Sequence, residues 1–134
     1  MKSIVLDTDI FIDHLKKSNS NFKLLLRAST EKNYKLYIPT VVLVELFVGY
    51  EFLESFVLKK AEDLLKPFER IVLTEDIAKL AGEIGRNNRI GFLGTVDLVI
   101  GATALSLNAE VATRNVKHFK QIPGLKLFNF KQIS

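Results

Sequence analysis

A chain of 134 residues, 48% hydrophobic and 25% charged, is long enough for one packed core and too short for two domains of ordinary size. It has no cysteine, which excludes disulfides, thiolate metal sites and cysteine nucleophiles and leaves oxygen ligands for a metal. A net charge of +4, from 19 basic and 15 acidic residues, favours a polyanionic partner without identifying one, and with no apolar run long enough to span a bilayer we expect a cytoplasmic protein. Seven glycines, three prolines and no biased tract argue for a chain folded throughout, residues 1–134 forming a single domain.

Ser3 to Leu6 reads as a short buried strand; the chain then turns at Asp7, and Phe11, Ile12 and Leu15 fall at helical spacing. Ser18 to Asn21 reads as a loop, followed by a helix through Phe22, Leu25 and Leu26 that ends near Asn33. Lys35 to Ile38 is a second strand, stopped by Pro39. Thr40 is expected to cap a helix through Val41, Val44, Leu46 and Val48, which Gly49 breaks before an amphipathic segment from Glu51 to Lys66. Pro67 closes that helical hairpin, Ile71 to Leu73 is a third strand, and Thr74-Glu75-Asp76 opens a helix carrying Ile77, Leu80, Ala81 and Ile84. Arg86 to Arg89 leads into a loop from Gly91 to Gly94, and Thr95 is expected to cap a helix from Val96 to Leu107, with Asp97 in its first turn. Glu110 to Thr113 and Leu125 to Phe128 complete the strands. This alternation predicts an α/β fold: a central, mainly parallel twisted sheet of four to five short strands flanked by helices. Ligands of such sheets gather outside the carboxyl ends of the strands, where Asp7 and the segment after Thr113 lie.

Three acids stand at the edges of apolar segments: Asp7 after Ile4-Val5-Leu6, Glu45 within Val41 to Leu46, and Asp97 before Leu98-Val99-Ile100. A carboxylate in apolar surroundings is expensive to desolvate unless a partner or metal compensates it, so three of them point to one shared cation site. Each also has a simpler reading: Asp7 as a turn or cap, Glu45 as a solvent-facing helix residue, Asp97 as a helix-start charge. Glu45 discriminates best, because Val41, Val42, Leu43, Val44, Leu46, Phe47 and Val48 leave its helix little polar surface, and a carboxylate-lined cleft is the simpler account.

Ile4-Val5-Leu6-Asp7-Thr8-Asp9, Pro39-Thr40 through Glu45 to Gly49, Asp97 to Ala104 and Ala112-Thr113-Arg114-Asn115-Val116-Lys117-His118-Phe119 together resemble the PIN-domain ribonucleases, with the VapC toxins of type II toxin-antitoxin pairs the nearest likeness. The resemblance covers essentially the whole chain, and four ordered motifs are far more specific than any one. It implies a PIN-like domain with endoribonuclease activity dependent on Mg²⁺ or Mn²⁺, with Asp7, Glu45 and Asp97 on the family's first three acidic positions as metal-binding and catalytic residues. It also implies an RNA substrate, an antitoxin partner and a homodimer. Hard cations take oxygen ligands and activate water for in-line attack on a phosphodiester, so the residue types suit the chemistry.

The fourth acidic position departs from the family: Asn115 and His118 stand where an acid is frequent. Asn115 can orient a water or ligate through its carbonyl but adds no charge, and Thr113 can help to orient such a water. Asp9 stands where the family more often has Asn, so it is an auxiliary candidate beside Thr8, either replacing the missing charge or serving as a first-turn acid. Arg86, Arg89, Arg114, Lys117 and Lys120 flank the third acidic segment; the first four are candidate RNA contacts, and a solvated surface is the alternative. His118 has the chemistry to contact a substrate phosphate or act as an acid, but a single His beside Phe119 is more often a surface or packing residue and stays outside the catalytic set, and His14 carries no partner signature. Phe47, Tyr50, Phe52 and Phe56 make the central hairpin aromatic; they serve core packing or, by resemblance, a groove for an antitoxin segment.

Two rivals remain. Asp7-Thr8-Asp9 after a strand also copies an aspartate-nucleophile phosphatase, but such a fold needs a late acidic pair, and Glu110 is the only acid after Asp97. A degenerate PIN domain that binds RNA or an antitoxin without cleavage is the non-enzymatic alternative.

Overall fold

The computed structural model describes residues 1–17, 20–49, 55–88 and 93–133. Five strands form one parallel sheet in the order β3-β2-β1-β4-β5: β1 (Ser3–Leu6), β2 (Lys35–Pro39), β3 (Glu69–Ile71), β4 (Glu110–Ala112) and β5 (Lys126–Leu127). The helices among the described residues are α1 (Thr8–Lys17), α2 (Ser20–Glu31), α3 (Thr40–Val48), α4 (Ser55–Leu65), α5 (Glu75–Asn88), α6 (Thr95–Ser106) and α7 (Val116–Phe119). None is long and apolar enough to cross a membrane.

Central strand β1 carries Ile4, Val5 and Leu6, all fully buried, as expected of a parallel strand covered by helices on both faces. It pairs on one side with β2, Val5 opposite Tyr37, and on the other with β4, Leu6 opposite Ala112. The chain therefore builds the sheet outwards from β1 to β3, then returns to place β4 against the free side of β1. That reversal is the switch point where open α/β sheets bind ligands, and the backbone N–H of Asp7 extends the pairing beyond the strand by donating to the Ala112 carbonyl at 3.0 Å.

Local chemistry explains most boundaries. Asn33 ends the turn after α2 in a left-handed conformation (φ 57°), one that Asn tolerates. The Thr74 hydroxyl accepts from the Ile77 N–H at 3.2 Å and starts α5, whose acidic first turn and Arg86-bearing last turn both suit the helix dipole. In α6, Gly101 leaves room for Ile122: a Cβ there would lie 2.5 Å from the Ile122 Cδ1, so the bare backbone lets the β4–β5 connection pack onto the helix that carries Asp97.

Several expectations are corrected. The third strand lies at Glu69–Ile71 rather than Ile71–Leu73, because pairing with Tyr37–Pro39 sets its register, and Val72 and Leu73 are exposed. Neither Thr40 nor Thr95 caps its helix. Each is the first helical residue, with extended Pro39 and Gly94 in the cap positions and no side-chain cap bond. Proline's fixed φ and missing N–H bar it from a helix interior but not from the position just before one. α7 was not anticipated, being a single turn with no room for periodicity. Tyr50, Phe52, Arg89 and the loop from Gly91 lie in or run into segments outside the described residues, as does the Phe56 side chain.

Candidate active site

Asp7 leaves the end of β1 into the switch point and is buried. Its Oδ1 accepts from the Thr8 N–H at 2.7 Å and its Oδ2 from the Thr113 hydroxyl, also at 2.7 Å, so both oxygens are oriented from the two adjoining strand ends. The Thr8 hydroxyl reaches across to α3 and donates to Glu45 Oε1 at 2.5 Å. Asp97, in the first turn of α6, is half-buried, and Asn115 sits at the cap position of α7, its N–H donating to the Thr113 hydroxyl at 3.0 Å. Asp7, Glu45, Asp97 and Asn115 line one open cleft of about 420 Å³ together with Thr8, Asp9, Ile12 and His118.

Electrostatics mark this cleft as short of positive charge. The Asp7 pKa is raised to about 7, mainly by desolvation on burial and then by the Asp9 charge, with Asp97 adding to the effect and the bonds from Thr113 and Thr8 opposing it. Asp97 is also pushed up, first by burial and then by the Glu45 charge, while His118 works in the other direction. Burial raises Asp9 as well, against the pull of the Arg114 amide and guanidinium. Acids that resist ionising together are the arrangement a divalent cation relieves.

The four candidate catalytic residues thus share one cleft, but Glu45 is not buried as its apolar helix implied. α3 buries Val42 and Leu46 and leaves Val44, Phe47 and Val48 largely exposed, and Glu45 is exposed apart from its bond to Thr8. Asp9 lines the cleft yet faces Arg114: its carboxylate accepts from the Arg114 N–H at 3.1 and 3.3 Å. The Arg114 guanidinium bonds both oxygens of Asp13, at 2.8 and 2.9 Å, so this candidate RNA contact ties the segment after β4 to α1. Lys117 is exposed on α7, Arg86 lies in the last turn of α5 with its Nε donating to Asn87 Oδ1, and neither lines the cleft. His14 is buried and stacked on Phe22 with ring centroids 4.8 Å apart. His118, left outside the catalytic set, is partly buried and lines the cleft. The signal for it was the Asn115-to-His118 spacing, which puts both on one side only if the segment is helical.

A fold of this topology with acids at the switch point has counterparts. The PIN domain family matches residues 4–125. The chain belongs to that family. Ribonuclease VapC10 of Mycobacterium tuberculosis is 35% identical to this PIN domain over 128 residues, covering 92% of this chain and 90% of its own, and Ribonuclease VapC19 of the same organism is 31% identical over 124 residues, covering 91% and 96%. Among solved structures, VapBC2 from Rickettsia felis, bound to a DNA fragment from its promoter, superimposes with a TM-score of 0.82 at 27% identity over 95% of this chain and 98% of that one. A toxin-antitoxin complex from Klebsiella pneumoniae matches with a TM-score of 0.72 at 27% identity, covering 91% and 94%.

Proposed function

We propose that this PIN domain is an endoribonuclease that hydrolyses RNA phosphodiester bonds with the help of Mg²⁺ or Mn²⁺, and that it is the toxin of a type II pair, held by an antitoxin and acting as a homodimer. The carrying observation is Asp7: a buried carboxylate, oriented on both oxygens, facing Glu45, Asp97 and Asn115 across one open cleft. The ribonuclease names of both relatives support the activity, and the toxin-antitoxin complex among the structural neighbours supports the partner.

The donor set fits such an ion in type and charge, since Asp7, Glu45 and Asp97 offer anionic oxygens whose mutual repulsion a cation would offset. Among the described residues no three His, Asp or Glu side chains are gathered into a ready ligand group. Mg²⁺ keeps several waters and is commonly held by one or two carboxylates together with substrate phosphate, so it does not require such a group. When bound, the ion supplies charge that polarises the scissile phosphate and lowers the pKa of the attacking water.

The chain's own residues do the positioning. Thr113 and the Thr8 N–H hold the Asp7 carboxylate in one orientation, and the Thr8 hydroxyl turns Glu45 toward the same cleft. Asn115 offers an amide carbonyl and NH₂ to a water or a phosphate oxygen, and His118 offers an imidazole beside Asp97. Ile12 gives the cleft an apolar side.

Incubating the purified chain with a mixed pool of structured RNA, in Mg²⁺, in Mn²⁺ and in chelator, tests the reading. Cleavage should require metal and vanish in Asp7→Asn. A non-cleaving domain is favoured by the neutral Asn115 at the fourth position and by the lack of a ready ligand group among the described residues. RNA binding with no cleavage in either metal would establish that alternative.

A further inference from the structure

α7 separates the carboxylate cleft from a second one. Asn115 and His118, three residues apart, face the first, whereas Val116 and Lys120, four apart, line the second. The second cleft, of about 420 Å³, lies within the roughly 300–1,000 Å³ range of small-ligand sites. Phe128 and Phe130 line it, their rings edge to face with centroids 5.1 Å apart, and Lys131 joins Lys120 in supplying positive charge. Its described lining contains no acid. Thr113 belongs to this lining, and its hydroxyl donates to Asp7 in the other, so one hydrogen bond joins the linings of the two clefts.

We propose that this second cleft is a subsite for one nucleotide of single-stranded RNA, next to the nucleotide whose phosphate is cut. Phe130, partly exposed, would stack on the base, and Lys120 would pair with the flanking phosphate. The inference rests on the ribonuclease reading. Aromatic rings beside cations form the usual platform for single-stranded nucleic acid, because every base has a stacking face and every link a charge. The neighbouring carboxylates repel a polyanion, so a strand entering their cleft needs a cationic foothold close by, and this is the acid-free side of the shared wall. Basic residues flanking the third acidic segment were expected to contact RNA, but the structure ties Arg114 to Asp13 and places Lys120 in the aromatic cleft.

The test is the affinity of the full chain, made cleavage-deficient by Asp7→Asn, for a short fluorescein-labelled single-stranded RNA of random sequence, read by fluorescence anisotropy over a salt series. Phe130→Leu, which keeps apolar volume without the ring, should weaken binding about tenfold with an unchanged salt slope, and Phe130→Tyr should restore it. Lys120→Glu, at an exposed position, should weaken binding and flatten the plot of log affinity against log salt by about 0.7 or more. Unaltered affinity in both Phe130→Leu and Lys120→Glu, in a chain whose unsubstituted form cleaves RNA, overturns the subsite and leaves the nuclease reading intact. Loss of antitoxin binding with RNA affinity unaltered would assign the cleft to the protein partner and overturn it likewise. An unsubstituted chain that neither binds nor cleaves RNA removes both.

Discussion

The candidate catalytic cleft has two unlike walls. The strand wall, built from the ends of β1 and β4, carries Asp7 buried and bonded on both oxygens, with Thr8, Thr113 and Arg114 interlocked around it. The helix wall, built from α3 and α6, carries Glu45 exposed with one hydrogen bond and Asp97 half-buried in a first turn. A preorganised acid on one side and adjustable acids on the other suit an ion that must be held firmly yet share its sphere with substrate and water. The strand wall fixes position, and the helix wall supplies charge.

The largest effect should come from breaking the strand wall. Asp7→Asn keeps the side-chain shape and one oxygen acceptor but removes the anion, and cleavage should fall about 10³-fold, measured under saturating Mg²⁺. A loss below tenfold would show that Glu45 and Asp97 hold the ion without Asp7.

The same substitution should act on stability in the opposite direction. Because the Asp7 pKa in the folded chain, about 7, lies above its ordinary value of 3.8, the folded state binds the extra proton between these values. The resulting stabilisation is complete below about pH 4 and is lost as pH rises through 7. In chelator, the unsubstituted chain should therefore lose on the order of 1–3 kcal/mol more than Asp7→Asn between pH 4 and pH 8, as read by urea unfolding. Groups distant from Asp7 cancel in the difference, whereas Asp9 and Asp97, whose charges act on Asp7, ionise more easily beside a neutral Asn and contribute to it. Parallel pH profiles would mean that burial leaves this carboxylate as it is in water. Added Mg²⁺ should return stability at pH 8 to the unsubstituted chain and little to Asp7→Asn.

Breaking the helix wall should separate activity from stability. Glu45→Gln removes a charge that is exposed and only singly bonded, so cleavage should fall about 10- to 100-fold while the unfolding midpoint barely moves. A clear drop in stability would indicate that the Thr8 contact matters to folding and would erase the contrast between the walls.

This contrast also marks what the sequence could reveal. Asp7 was legible because a buried parallel strand must end in a turn, and a carboxylate there needs compensation, which two threonines partly provide. Glu45 was found for a mistaken reason. Its apolar neighbours implied burial, whereas Val44 and Val48 are 61% and 78% exposed, so apolar composition does not report which face of α3 is buried. β3 was placed two residues late because Val72 and Leu73 have strand propensity, while the pairing that decides register lies more than thirty residues upstream, at Tyr37–Pro39. His118 and the links of Arg114 to Asp9 and Asp13 depend on α7 and on the β1–β4 pairing, which bring together residues about a hundred positions apart. Hydrophobic periodicity carries no record of such contacts.

The smallest effect tests that last link. Arg114 is 63% exposed, so its pairing with Asp13, in which Nη1 alone reaches both carboxylate oxygens, is screened, and Arg114→Ala should destabilise the chain by only about 0.5–1 kcal/mol in thermal or urea unfolding. Its loss should act on activity more than on stability, because the Arg114 side chain ties to α1 the segment that holds both Thr113 and Asn115. We expect a fewfold drop in kcat with RNA affinity nearly unaltered. If Arg114 instead grips RNA phosphate, affinity would fall and its salt slope flatten while kcat held, and the strand wall would then end at Thr113.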